Sequence, residues 1–307
     1  MTETVSIRGV VPVVPTPFHP DESIDFESLR HLVEWIVTRG FAAMCLPAYG
    51  SEFYKLGEVE RDQLVSTAIE TTGGRVPVIA QANHTSARLA SELAQRYEDI
   101  GADVISFAIP RQFGTPTGDA LRYCETVASA TSRPILVQDF NPGGATIGAE
   151  FVNDLSKRSD NFKFVKLEDP MMIDKLIAIG EQLEGRVSIL EGWGGLYMLE
   201  GIASGIDGVM PGAAIADLLD MVFSAAASGD SVRAYDLFGS LLPFINFTLQ
   251  DFELFLQIEK RTLVRRGLIE SPTVRSLTNT PSPAVLAHVD HLIDQIERIV
   301  ESENLGV

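Results

Sequence analysis

The run Asn161-Phe-Lys-Phe-Val-Lys-Leu-Glu-Asp169 places two lysines and a glutamate inside an otherwise apolar, strand-like stretch. Successive side chains of a strand point to opposite faces, so Phe164, Lys166 and Glu168 share one face while Lys163, Val165 and Leu167 share the other. Val165 and Leu167 suit a surface covered by helices, which turns Lys166 toward an enclosed interior. Keeping a lysine charged there is costly. Desolvation favours the neutral amine, the form that attacks a carbonyl carbon to make an imine. Glu168 follows about 7 Å further along the same face, where it could move protons near such an imine. The structural alternative is a buried Lys166–Glu168 ion pair, or a lysine that snorkels from a strand end to water.

Other chemistries find less support. The five histidines, His19, His31, His84, His288 and His291, are scattered without the spacing of a metal site. His84, beside Asn83 and Thr85, reads as a solvent-facing loop residue at a strand end. The two cysteines, Cys45 and Cys124, sit in apolar stretches and suggest neither a disulfide framework nor a metal cluster, so a reducing cytoplasm is the expected setting. Gly73-Gly74 and Gly194-Gly195 lack the strand-to-helix glycine fingerprint of a dinucleotide site and read as loops. With 42 acidic against 24 basic residues and a net charge of -18, the surface is unsuited to nucleic acid or an anionic membrane, which leaves a small molecule as the expected partner. No leader-like N-terminus and no 18-residue apolar run is found, which predicts a protein neither secreted nor membrane-spanning.

Something must hold Lys166 inside. Eight short apolar runs alternate with amphipathic helical segments: Gly9–Val14, Ala42–Pro47, Val76–Gln81, Asp103–Ala108, Pro134–Gln138, Phe164–Leu167, Val187–Glu191 and Gly208–Met210. The intervening segments show helical spacing, as in Leu29, Leu32, Val33, Ile36 and Val37. Eight β-α units predict a closed (β/α)8 barrel over residues 1–225, with an open doubly wound sheet as the alternative of identical local pattern. Residues 226–307 contain no convincing strand, and three helices near 230–247, 249–267 and 282–303 predict a C-terminal helical extension.

Val11-Pro-Val-Val-Pro-Thr-Pro-Phe18, the Ser51-Glu52 pair, Ala108-Ile-Pro110, Ile135-Leu-Val-Gln-Asp139 and Phe164-Val-Lys-Leu-Glu168 occur in order along the whole chain. Together they resemble the dihydrodipicolinate synthase and N-acetylneuraminate lyase family. That resemblance implies a (β/α)8 barrel, a homotetramer built as a dimer of dimers, and an imine between Lys166 and a 2-oxo acid without metal or organic cofactor. Membership does not fix the substrate.

The departures from the pattern narrow it. Ala48-Tyr-Gly-Ser-Glu52 stands where the synthase and lyase branches carry Gly-Thr-Thr-Gly-Glu. The amides of Gly50 and Ser51 would still bind the carboxylate, whereas the second threonine's hydroxyl is lost at Gly50 and only Ser51 or Tyr49 could replace it. Asp139-Phe-Asn-Pro142 replaces the Tyr-Asn-x-Pro element, and Gly143-Gly144-Ala145 replaces the arginine that grips aspartate semialdehyde, which argues against a dihydrodipicolinate synthase. The Val-Gln-Asp and Lys-x-Glu runs look more like the 2-keto-3-deoxy-L-arabonate dehydratase branch, in which Gln138 would position substrate and Glu168 would transfer protons. The Glu191-Gly-Trp-Gly-Gly195 loop is more apolar than a polyol site requires.

The expected reaction is therefore dehydration of a 2-keto-3-deoxy sugar acid, in carbohydrate metabolism. Lys166 attacks C2, Glu168 takes a C3 proton, and the C4 hydroxyl leaves. Aldol cleavage to pyruvate is the alternative and needs a base on that hydroxyl, for which Asp139 is the candidate. A catalytically silent 2-oxo acid sensor is the second alternative. Thr16, after the first strand, and Gly212, after the eighth, complete the candidate substrate-binding set.

Overall fold

The computed structural model describes residues 5–111, 115–141, 146–168, 172–183 and 185–305. Eight parallel strands run β1 (Gly9–Val10), β2 (Met44–Leu46), β3 (Val78–Gln81), β4 (Val104–Ala108), β5 (Ile135–Asp139), β6 (Phe162–Leu167), β7 (Ser188–Glu191) and β8 (Gly208–Val209). A helix follows each, α1 (Phe26–Arg39), α2 (Glu58–Thr72), α3 (Ala87–Ile100), α4 (Thr117–Ala128), α5 (Ala149–Arg158), α6 (Ile173–Leu183), α7 (Met198–Ala203) and α8 (Ala216–Ala227). The ladder runs β1-β8-β7-β6-β5-β4-β3-β2. Val13 closes it by bridging both Cys45 and Gly212, so the sheet is a barrel rather than the open alternative. The first run pairs regularly only over Gly9–Val10. Pro12 and Pro15 have no N–H to give a ladder, and beyond them the chain keeps contact with β2 through Cys45 N–H to Pro12 O at 3.0 Å and Val14 N–H to Cys45 O at 2.9 Å.

Helix boundaries follow from local chemistry. Asp25 caps α1 by accepting from the amides of Glu27 and Ser28, and Gly40 ends the helix in the left-handed region at φ 71°. The face bearing Leu29, Leu32, Val33 and Ile36 is fully buried against the sheet. Two cores result. One lies between sheet and helices and contains Val165 and Leu167; the other fills the barrel with Ile7, Val11, Ile79, Val104, Leu136, Phe164 and Leu190.

Beyond α8 come α9 (Ser231–Thr248), α10 (Phe252–Arg265) and α11 (Pro283–Ser302). Helix α10 is tied to the C-terminal ends of the barrel strands, the end at which such barrels hold their sites. Arg266 makes a buried two-pronged bond to Asp217 of α8 at 2.6 and 2.9 Å, and Glu259 accepts from the amide of Ala214 at 2.7 Å. Among the described residues no helix is long and apolar enough to cross a membrane.

Candidate active site

Four strands repeat one pattern in the barrel interior. Ile79, Val104, Leu136 and Phe164 fill the lower layer, and two residues later Gln81, Ser106, Gln138 and Lys166 stand one layer higher, all buried. Register aligns them, with Lys166 beside Gln138 of β5 and Leu190 of β7. Lys166 Nζ lies 3.1 Å from Glu168 Oε1, and Glu168 Oε2 accepts from Gln138 Nε2 at 2.8 Å. Gln138 Oε1 in turn accepts from Gln81 Nε2 at 2.5 Å, and the same Gln81 nitrogen lies 3.4 Å from Ser106 Oγ. An ionised carboxylate only accepts, so Glu168 fixes which way the Gln138 amide points. The network arrives preassembled at the lysine.

A cavity of about 410 Å³ opens above this layer. Lys166, Glu168, Gln138 and Met210 form its floor, and Tyr49, Gly50, Phe140, Trp193, Gly212, Phe252 and Phe255 stand in its walls. Two glycines make room there. A Cβ at Gly192 would lie 2.3 to 2.7 Å from atoms of the Glu168 side chain, and one at Gly212 would lie 2.5 Å from Glu259 Oε2. Glycine at 192 is thus what lets Glu168 reach Lys166. Burial first, then the charge of Glu168, push the Tyr49 phenol up, which keeps it a neutral proton donor at the wall.

The structure gathers Lys166, Glu168, Gln138, Tyr49, Gly50 and Gly212 around one cavity and leaves three expected residues out. Asp139 is a correction. Its side chain turns to the outer face of β5, where Arg111 grips it with two bonds of 2.8 and 2.7 Å and the Ile147 amide donates to it at 2.5 Å. A carboxylate so committed, and outside the cavity wall, is not placed to deprotonate a substrate hydroxyl. Ser51 is likewise spent within its loop: its hydroxyl donates to Val14 O and accepts from Ala48 N–H, and its amide donates to Ala48 O. Thr16 donates to Ser51 O at 2.7 Å and so joins the first two loops. Both pin the turn that presents Tyr49 and Gly50. The replacement at Gly143-Gly144-Ala145, with Pro142, lies outside the described residues. His84 caps its own loop by accepting from Ser86 N–H at 2.9 Å.

Sequence reasoning missed Gln81 and Ser106, although the alternation that singled out Lys166 applies to them: each is polar, two residues past an interior aliphatic. It also missed Glu191. This β7 carboxyl is wholly buried, its Oε2 meets no partner, and burial holds it well above the ordinary carboxylate range, with Glu168 adding to the effect.

Comparison with known proteins agrees with this geometry. Residues 6–296 match the dihydrodipicolinate synthetase family. The chain belongs to that family and is a lyase of its kind. It is 28% identical to L-2-keto-3-deoxyarabonate dehydratase of Azospirillum brasilense over 246 residues, 78% of this chain and 79% of that one. It is 29% identical to a putative 2-dehydro-3-deoxy-D-gluconate aldolase of Escherichia coli over 140 residues, 46% of either chain. A dihydrodipicolinate synthase from Rhodopseudomonas palustris superposes with a TM-score of 0.89 at 25% identity, covering 95% of this chain and 98% of that one.

Proposed function

We propose that this lyase works through an imine on Lys166 and removes water from a 4-hydroxy-2-oxo acid. The observation that carries the reading is the Lys166–Glu168 pair, 3.1 Å apart at the floor of a cavity and held by Gln138. Lys166 Nζ adds to C2 of the substrate, and loss of the C2 oxygen as water leaves an iminium. The iminium acidifies C3, Glu168 takes a C3 proton, and the electron pair left behind expels the C4 hydroxyl. Tyr49, a neutral phenol in the wall, is this chain's donor for the departing hydroxide. The backbone of Gly50 faces the substrate carboxylate.

Likeness to a 2-keto-3-deoxyarabonate dehydratase over most of both chains supports dehydration and makes a 2-keto-3-deoxy sugar acid the reference substrate. Aldol cleavage would need a base on the C4 hydroxyl. The expected one, Asp139, is bound by Arg111, and Tyr49 is suited to giving a proton rather than taking one.

The test is borohydride reduction in the presence of pyruvate or 2-keto-3-deoxy-L-arabonate, with the adduct mapped by mass and the products assayed. An adduct on the peptide bearing Lys166, absent in Lys166→Ala, together with a semialdehyde product, supports the reading. Release of pyruvate from the sugar acid would move the chain to aldol cleavage, and absence of any adduct would end the imine mechanism.

A further inference from the structure

Above its polar floor the cavity is lined by aromatic rings. Tyr49 and Phe140 lie 5.0 Å apart between ring centroids, Phe140 and Trp193 6.2 Å, Phe140 and Phe252 6.0 Å, and Phe252 and Phe255 5.8 Å. These spacings are those of interacting ring pairs. The belt draws on the turn after β2, the ends of β5 and β7, and the start of α10, so separate parts of the chain converge on it. All five rings are only half-buried and all face the cavity. Apolar surface left uncovered at a concave site marks a place where something apolar binds.

Trp193 adds an independent sign. Its φ is 50°, in the left-handed region that a bulky side chain rarely enters, and Gly194 and Gly195 follow at φ 67° and 82°. A backbone held in that region costs free energy, and here it brings the indole to the mouth of the site.

Polar partners are scarce at the same height. Among the described residues the only charged or amide side chains lining the cavity above the floor are Gln250 and Asp251. Asp251 already accepts from the Leu254 amide and from Asn279 Nδ2, both at 2.8 Å. A second carboxylate pointing into this belt would meet no cation above the floor among the described lining residues, and a chain of hydroxyls would have only the Gln250 amide, the other Asp251 oxygen and the Tyr49 hydroxyl to replace the water it gives up. A three-carbon acid would leave most of a 410 Å³ cavity empty.

We propose that the 2-oxo acid taken by this enzyme carries an aryl group at its distal end, seated between Phe140, Trp193 and Phe252, as in a 4-aryl-4-hydroxy-2-oxobutanoate. The inference rests on the imine reading above and specifies its substrate. Dehydration of such a compound takes the proton from C3 and the hydroxyl from C4, releases one water, and leaves a C3–C4 double bond conjugated with both ring and ketone. No oxidant or co-reactant is needed.

The experiment separates the two proposals by reading imine formation without turnover. Borohydride trapping is titrated on the full chain with pyruvate, 2-keto-3-deoxy-L-arabonate and 4-phenyl-2-oxobutanoate, which has no hydroxyl to lose. The phenyl acid is expected to half-saturate trapping at a concentration at least about tenfold below either of the others. Trp193→Ala and Phe252→Ala should each reduce that ratio toward one. A general loss of fold moves pyruvate and the phenyl acid together, so the ratio is insensitive to it. A phenyl acid that traps no better than the sugar acid overturns the aryl assignment and leaves the imine intact. Failure of all three to trap overturns both.

Discussion

Two regions of this molecule bury a lysine against a glutamate, and they differ in what surrounds the pair. Lys166 is 7% exposed, has Glu168 at 3.1 Å, and looks into the cavity. Lys260 of α10 is 0% exposed and sealed. It binds Glu52, donates to Thr273 O at 2.8 Å, and sits 4.3 Å from the centre of the Phe18 ring. Glu52 is just as occupied, since its other oxygen accepts from the Arg275 amide at 3.0 Å and lies 3.3 Å from Lys55 Nζ. Burial pushes Lys260 down to about 8, with Glu52 opposing the shift. Burial and a carboxylate partner are therefore common to both sites and diagnose neither. What separates them is access: a saturated, closed lysine fastens α10 to the turn after β2, while an unsaturated one facing a cavity can meet a carbonyl.

Four substitutions would break or sharpen that contrast. The largest expected effect is on Lys166→Met, which should lower turnover at least about 10⁴-fold, as loss of a covalent nucleophile does, while its urea midpoint moves far less than that of the corresponding change at Lys260. Lys260→Met removes the nearer of the two cations at buried Glu52, leaving Lys55 at 3.3 Å, and should cost up to about 3–5 kcal/mol of stability in urea unfolding, with imine trapping retained wherever the protein remains folded. Equal midpoints for the two variants would erase the distinction. Gly192→Ala forces Glu168 off its present position and should cost about 10²-fold in kcat, with the pyruvate adduct still formed because Lys166 is untouched.

The smallest effect concerns Glu259, the sealed neighbour of Lys260. Burial raises it to about 7, above its value in the unfolded chain. The folded state thus keeps this proton longer, the unfolded state loses it first, and stability falls as pH rises from the ordinary carboxylate range to about 7. Below that window the penalty is absent. Glu259→Gln should flatten this slope, a difference of about 3 kcal/mol at pH 8, read as unfolding midpoints from pH 4 to 8.

Much of the candidate site was legible because alternation along a strand is a local property. Phe164, Lys166 and Glu168 had to share a side, and Leu136 placed Gln138 by the same rule. Applied to Ile79 and Val104, it would also have found Gln81 and Ser106. The parity of Asp139 already set it opposite Gln138, and Arg111, 28 residues away in sequence, is what holds it there. Ser51 and Thr16 are expected as substrate contacts because the family resemblance puts them at such positions; that their hydrogen-bonding groups turn back onto Val14, Ala48 and Ser51 depends on how two loops meet.

The sequence by itself determined the eight-fold alternation of strands and helices, the interior direction of Lys166, and the family. Each depends on residue order over a few positions, or on motifs read in series. Tertiary structure alone decided which polar groups remain free. Lys260 meets Glu52 across 208 residues, and the aromatic belt is assembled from the turns that follow β2, β5 and β7 and from the start of α10. A side chain's availability for chemistry is set by the neighbours it has already satisfied, and those neighbours are brought together only when the barrel closes.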